Sequence, residues 1–134
     1  ILALIKQRQR DLGMAVIMIT HDLGVIAATC DRVLVMYAGR IVESATREVL
    51  FSKPSHPYTK ALMASMPALH QSGDALYTIP GMPPDMGREI TGCAFAPRCE
   101  YAQEACRKGE MTLAEVQPGQ ETACIRIRNG EVVL

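Results

Sequence analysis

An apolar run at residues 14–20, Met-Ala-Val-Ile-Met-Ile-Thr, limits the fold of this chain more than any other stretch, and His21 and Asp22 follow it. A short apolar run of this kind is typical of a strand buried in a parallel sheet. The carboxyl ends of such strands form the edge of an open α/β sheet at which ligands bind. We therefore predict that His21 faces a ligand and that Asp22 caps a helix over residues 23–29.

The patterns around this run alternate between helix and strand. They predict a surface helix over residues 1–12, strands over residues 32–37 and 40–44 joined by a turn, a helix capped by Thr46 and ending at Leu50, and a helix that begins at Pro57. His56 and Tyr58 are interpreted as capping and packing residues, because nothing beside them suggests a reaction. Together these elements predict an α/β fold class for residues 1–66.

The composition changes after residue 66. Residues 67–91 are rich in proline and glycine and leave room only for a short strand near residues 76–79. We predict a linker there and a domain boundary before a second segment at residues 92–134. For that segment the patterns predict a short helix over residues 101–108, a strand over residues 122–128 and a hairpin turn at Asn129 and Gly130.

Four of the five cysteines lie in the second segment, with the spacing C-x5-C-x6-C-x17-C: Cys93, Cys99, Cys106 and Cys124. The segment has too few apolar residues for a core of its own, so a metal centre or disulfides are expected to hold it together. A zinc ribbon normally uses C-x2-C or C-x4-C pairs, which are absent. The wider spacing suits an iron–sulfur cluster, but disulfides and zinc stay open. Cys30 is interpreted as a small buried apolar residue.

Arginines accompany these cysteines. A strand over residues 122–128 would place Cys124, Arg126 and Arg128 on one face, and Arg98 and Arg107 are each next to another cysteine. Such cations would offset the negative charge of a cluster and raise its reduction potential. The alternative is that these arginines are simply solvated.

The composition excludes several classes of protein. The 14 basic residues balance 14 acidic ones without a basic stripe, so we expect no nucleic-acid partner. No apolar run approaches the roughly 20 residues that cross a bilayer, and a secretory signal is absent. We therefore expect a soluble, cytosolic protein. Because the chain begins with Ile1 inside an amphipathic pattern, we also expect it to be a piece of a longer protein.

Three stretches of the first segment resemble the ATP-binding subunits of bacterial dipeptide and oligopeptide ABC transporters: ITHDLGV at residues 19–25, DRVLVMYAGRIVE at residues 31–43 and HPYTKAL at residues 56–62. The resemblance implies that residues 1–66 are the C-terminal remnant of a P-loop nucleotide-binding domain. It also implies that His21 is the residue of the switch loop that binds the γ-phosphate of ATP.

The motif GCAFAPRC at residues 92–99 resembles the C-terminal cysteine module of the same subunits. That resemblance implies a [4Fe–4S] cluster on Cys93, Cys99, Cys106 and Cys124. The phosphate-binding G-x-x-x-x-G-K-[ST] loop, the Walker B acidic residues and an LSGGQ-like signature are absent from the sequence. We therefore expect that the chain alone is not an ATPase and that the parent protein, with ATP and Mg²⁺, is one.

The resemblance implies peptide import across the inner membrane, with a second ATP-binding subunit and transmembrane permease subunits as partners. The subunit is then expected to be peripheral on the cytoplasmic face. Nickel is an alternative substrate, because related nickel importers share these motifs. An independent metal-binding interaction module is a second alternative, and a redox enzyme is a poorer third. An incomplete sheet predicts strand swapping, a homodimer or an exposed apolar edge.

Overall fold

The computed structural model describes residues 1–66 and 77–134. The helices are α1 Leu2–Leu12, α2 Leu23–Thr29, α3 Arg47–Ser52, α4 Pro57–Ala64 and α5 Ile125–Arg128. The strands are β1 Arg32–Tyr37, β2 Arg40–Thr46, β3 Ala114–Gln117 and β4 Gln120–Thr122. Short 3-10 turns occupy Ala96–Arg98 and Glu104–Arg107. The predicted mixture of helix and strand is confirmed.

The four strands form one antiparallel sheet in the order β1-β2-β4-β3. The contact between β2 and β4 pairs Glu43 with Thr122 and Ser44 with Glu121. Strands from both sequence segments therefore share a sheet, because the C-terminal hairpin adds to the edge of β2 that β1 leaves free. The predicted domain boundary within residues 67–91 stays a prediction.

The prediction of a buried parallel strand over residues 14–20 is wrong for this structure. These residues form no strand, and Ile17 and Ile19 are 93% and 96% exposed. A strand needs a neighbour that accepts and donates backbone hydrogen bonds, and no strand of the described residues pairs with this run. Most of its apolar side chains are consequently left in solvent.

The helix ends in the first segment follow the sequence closely. Gly13 ends α1 in the left-handed conformation, with φ of 62°. The Asp22 carboxylate accepts a hydrogen bond from the N–H of Val25, and the hydroxyl of Thr46 accepts one from Val49. The predicted elements over residues 1–12, 23–29, 32–37 and 40–44 are confirmed, as is the Thr46 cap. No helix of the described residues is both long and apolar enough to cross a membrane.

The core lies on one face of the sheet. Strand β1 alternates, with Val33, Val35 and Tyr37 buried, whereas Leu34 and Met36 are 60% and 58% exposed. The buried face packs against residues of β2, α3, α4 and the cysteine segment: Val42, Ala45, Leu50, Ala61, Met63 and Phe95. Cys30 was predicted to be buried, but it is only partly buried and packs at the margin of this core.

Three predictions for the C-terminal segment are wrong. The strand ends at Thr122 and a helix begins at Ile125, because the Thr122 hydroxyl accepts a hydrogen bond from the N–H of Cys124 and the chain turns there. Asn129 ends that helix instead of opening a hairpin. The predicted helix over residues 101–108 is reduced to the 3-10 turn Glu104–Arg107. Residues 77–79 form no strand, and the first residue of the strand predicted near residues 76–79 lies outside the described residues.

Candidate functional site

The four cysteines of the second segment line a single cavity, although up to 31 positions separate them along the chain. All five cysteines of the chain are free thiols, so no disulfide ties the segment together. Apolar groups form most of the remaining wall, including Phe95, Met111 and Ile125. The cavity is therefore a sulfur-lined apolar site.

Gly92 brings two of these cysteines together. The N–H of Cys93 donates to the carbonyl of Cys106 over 2.8 Å. A Cβ on Gly92 would lie 2.5 Å from that same carbonyl oxygen and 2.5 Å from the carbonyl carbon of Arg107. Gly92 also has φ of +69°, a conformation that L side chains rarely adopt. Only glycine allows the two backbone segments to approach this closely.

Local turns hold the other two cysteines. The 3-10 turn Ala96–Arg98 begins where the N–H of Ala96 donates to the carbonyl of Cys93 over 3.0 Å, and Cys99 follows it directly. Cys124 is held by its hydrogen bond to Thr122 on β4. The sheet therefore positions the fourth cysteine and the turn positions the second.

Burial affects the ionisation of Cys93, Cys99 and Cys124. Removal from water raises the pKa of the Cys99 thiol to about 11, and it also raises the pKa of the Cys93 and Cys124 thiols. The neighbouring cysteines act in the same direction, because nearby thiolates would repel one another. Cys93, Cys99 and Cys124 therefore ionise less easily near neutral pH than an exposed cysteine does.

Sulfur is the main type of donor atom at the cavity. Within residues 1–66 and 77–134, no three His, Cys, Asp or Glu side chains are arranged to hold a metal ion. The four thiols that line the cavity are soft sulfur donors, which both zinc and iron–sulfur clusters take as ligands.

Arg126 is the arginine that lines the cavity. Its guanidinium donates to the carbonyl of Tyr101 over 2.7 Å and pairs with Glu131 over 3.1 Å. Arg128 points elsewhere and donates to the carbonyl of Thr112. The prediction that Cys124, Arg126 and Arg128 share one face is therefore wrong. Cys124 caps α5 and the two arginines lie in that helix, so their side chains do not alternate as they would in a strand.

The other two arginines considered from the sequence serve different roles. Arg98 donates to the hydroxyl of Tyr37 and to the carbonyls of Ile79 and Pro80, so it ties the chain before the cysteine segment to β1. Arg107 is exposed and does not line the cavity.

His56 forms part of the cavity wall, which the sequence did not indicate. It is 1% exposed, and its Nδ1 atom accepts the N–H of Tyr58 at the start of α4. Burial lowers the pKa of this imidazole to about 4, so the ring is neutral near pH 7. The capping role predicted for His56 is confirmed. Its second role could not be read from spacing, since 37 positions separate it from Cys93.

A buried carboxylate joins the two segments beside this site. Glu43 on β2 is fully buried, and its Oε1 atom accepts the N–H of Ser55 over 2.7 Å and the amide of Gln120 over 2.9 Å. The hydroxyl of Thr122 donates to the carbonyl of Ser55 over 2.6 Å. These bonds position the strand that precedes Cys124 and the residue that precedes His56.

His21 lies apart from the cysteine cavity. It is exposed, in the irregular stretch just before α2, and it is not part of the cavity wall. The structure thus brings the four cysteines together and leaves His21 on a separate surface. Its predicted role as a phosphate sensor stays a prediction.

Comparison with known proteins identifies the family. The model of the family described as "Oligopeptide/dipeptide transporter, C-terminal region" matches residues 42–106. A probable peptide ABC transporter ATP-binding protein of Sinorhizobium fredii is 49% identical over 99% of this chain, which covers 39% of that protein. The oligopeptide transport ATP-binding protein OppD of Escherichia coli is 44% identical over 94% of this chain, which covers 37% of it.

A putative peptide import ATP-binding protein of Brucella ovis is 46% identical over 94% of the chain, which covers 39% of that relative. The chain therefore spans less than two fifths of the length of these curated relatives. The matched family region begins on β2 and runs through Cys93 and Cys99 to Cys106, and so contains three of the four cavity cysteines. Residues 42–106 of this chain belong to the family described as the C-terminal region of oligopeptide/dipeptide transporters, and nearly the whole chain is similar to ATP-binding proteins of peptide ABC transporters.

Proposed function

We propose that this chain is the C-terminal part of a subunit that couples ATP hydrolysis to peptide import. The alignment along nearly the whole chain with relatives whose names specify peptide transport and ATP binding carries this proposal. The subunit works on the cytoplasmic face of the inner membrane, beside a second ATP-binding subunit and permease subunits.

In this function His21 donates a hydrogen bond to the γ-phosphate of ATP. Its exposure and its place just before the capped helix α2 support this role, because an imidazole there is available to a ligand. Negative charge develops on the phosphate oxygens during transfer, so a positioned donor stabilises the transition state more than the ground state. The phosphate loop and the Mg²⁺ ligands come from the rest of the subunit.

The cysteine cavity holds a [4Fe–4S] cluster on Cys93, Cys99, Cys106 and Cys124. Free thiols, their position around one cavity and the apolar wall support this assignment. When bound, the cluster supplies a cationic iron core that keeps the four sulfurs ionised. The chain's own contribution is to position the sulfurs through Gly92, the turn Ala96–Arg98 and Thr122, and to exclude water with Phe95.

A chimera tests the transport function. This chain replaces the matching 126-residue region of the E. coli relative, and the chimera is assembled with the E. coli permease subunits. We expect ATP hydrolysis and growth on peptides as the nitrogen source. His21→Ala should lower hydrolysis about 100-fold or more while ATP binding is retained, because one transition-state donor is lost. Gln7→Ala, on the exposed side of α1, is the control and should leave hydrolysis unchanged.

Iron and acid-labile sulfide are measured separately after anaerobic purification of the chain. We expect about four of each per chain, as for one cubic cluster. Full iron and sulfide with a chimera that cannot hydrolyse ATP would favour the alternative, an independent metal-binding interaction module. An active chimera that contains no iron would retain the ATPase proposal and overturn the cluster.

A further inference from the structure

Arg126 is the cation of the cysteine cavity, and its surroundings fix where its charge lies. Its side chain is 18% exposed, so its charge is only partly screened by water. The 2.7 Å bond to the carbonyl of Tyr101 holds the guanidinium over the turn that follows Cys99. Arg126 is also two residues after Cys124. One side chain therefore reaches between two of the four sulfur-bearing segments.

The guanidinium belongs to the wall of the same cavity that the four sulfurs line. A cation at this wall favours added negative charge on any group held in the cavity. Arg126 should therefore stabilise the more negative state of such a group.

A carboxylate opposes this cation from the outer side. Glu131 accepts a hydrogen bond from the Nε of Arg126 over 3.1 Å, and its second oxygen accepts one from the amide of Asn129. The Asn129 amide, and then Arg126, hold the pKa of Glu131 below its ordinary value, so the carboxylate is ionised near neutral pH. The net electrostatic effect at the cavity is thus the effect of the Arg126 cation, reduced by that of the more exposed Glu131 anion.

We propose that Arg126 and Glu131 form a charge pair that sets the reduction potential of the cluster, with Arg126 raising it and Glu131 moderating that effect. The inference rests on the [4Fe–4S] assignment of the proposed function. Reduction adds one electron to the cluster and breaks no bond, so a nearby positive charge favours the reduced form. Arg126 acts through the field at the sulfurs and is a positioning and tuning residue.

The test is a reductive titration of the anaerobically purified chain with dithionite, which supplies the electron, followed by electron paramagnetic resonance. Arg126→Gln should favour the oxidised form about tenfold, which is about 59 mV lower for a one-electron couple. Glu131→Gln should shift the midpoint potential upward. Arg128→Gln is the matched control on the same helix, because Arg128 bonds Thr112 and does not line the cavity, and it should leave the potential unchanged.

The opposite signs separate electrostatics from structure. If Arg126 only held the turn at Tyr101, Arg126→Gln and Glu131→Gln would both loosen the same charge pair. The two variants would then shift the midpoint potential in the same direction or not at all, and that result would overturn the inference. Should Arg126→Gln lose its cluster, Arg126→Lys keeps the charge without the planar guanidinium, and a cluster in it with near wild-type potential supports the tuning role. If the midpoint potential of Arg126→Lys shifts by as much as that of Glu131→Gln, the tuning role is overturned.

The two proposals fail in different ways. A wild-type chain with no iron and sulfide contradicts the cluster assignment and removes this inference with it. A wild-type chain with a full cluster, whose potential does not respond to Arg126→Gln or Glu131→Gln, contradicts the charge-pair inference alone.

Discussion

Gly92 shows how one residue controls the geometry of the cysteine cavity. Its positive φ occurs at several glycines of the chain, but only Gly92 among the described glycines would place a Cβ within 3.0 Å of backbone atoms. The crowding comes from the carbonyl of Cys106, to which Cys93 donates. Backbone atoms cannot move aside as a flexible side chain can, so this collision is costly.

Gly92→Ala should therefore destabilise the chain more than the same change at Gly109. Gly109 has φ of +80° with nothing within 4 Å of its Cβ position, so Gly109→Ala isolates the conformational cost, about 1–2 kcal/mol. The collision at Gly92 should add about 1–3 kcal/mol. Urea denaturation followed by far-UV circular dichroism measures both, since the chain has no Trp to report by fluorescence. Equal losses at the two positions would show that the close approach is not rigid.

At the scale of elements, helix α4 links the first segment to the cysteine cavity. Its N-cap is the buried His56, and its first turn carries Tyr58, whose ring centroid is 5.4 Å from that of Phe95. Phe95 also packs edge-on against Tyr37 of β1, at 5.3 Å. Helix α4, strand β1 and the cysteine segment thus each contribute one ring to the same aromatic cluster.

The neutral His56 predicts how stability depends on pH. Its pKa is about 4 in the folded chain and about 6.5 when exposed, so the unfolded state binds a proton first as pH falls. Stability from this group is complete above pH 6.5 and is lost between about pH 6.5 and 4, by about 3 kcal/mol. His56→Asn keeps a capping oxygen and removes the titration, so its free energy of unfolding should fall less over that range. Parallel pH profiles for the two proteins would contradict the burial argument.

At the scale of the whole molecule, the buried polar bonds around Glu43 connect β2, the loop before α4 and β4. Gln120 donates to both Glu43 and the carbonyl of Lys53, so one amide spans residues more than 60 positions away. These bonds lie where water cannot replace them. Loss of one partner therefore leaves buried donors unsatisfied on both segments.

Glu43→Ala should lower the free energy of unfolding by about 2–4 kcal/mol, because the N–H of Ser55 and the amide of Gln120 both lose their acceptor. Glu121→Ala on the paired strand is the control: its ion pair with Arg32 is long, at 3.6 Å, and about half exposed, so the cost should be below about 1 kcal/mol. Urea titrations of both variants measure the difference. Similar values would mean that the buried carboxylate does not connect the segments.

The sequence by itself determined the local features of this protein. Helix caps at Asp22 and Thr46, the turn between β1 and β2, and the family could be read from residues close together in the chain, because capping and turn chemistry act over two to four positions. Those features agree with the structure. The sequence also identified the four cysteines as a set. It did not identify the residues that surround them in space.

The tertiary structure decided everything that depends on distant partners. The run at residues 14–20 has the composition of a strand but no neighbour to pair with, and the alternation after Thr122 is too short to distinguish strand from helix. Pairing of β2 with β4 places Cys124, and packing of α4 places His56 at the same cavity. A sheet partner and a cavity wall are formed by residues far apart in sequence, so no local pattern contains them.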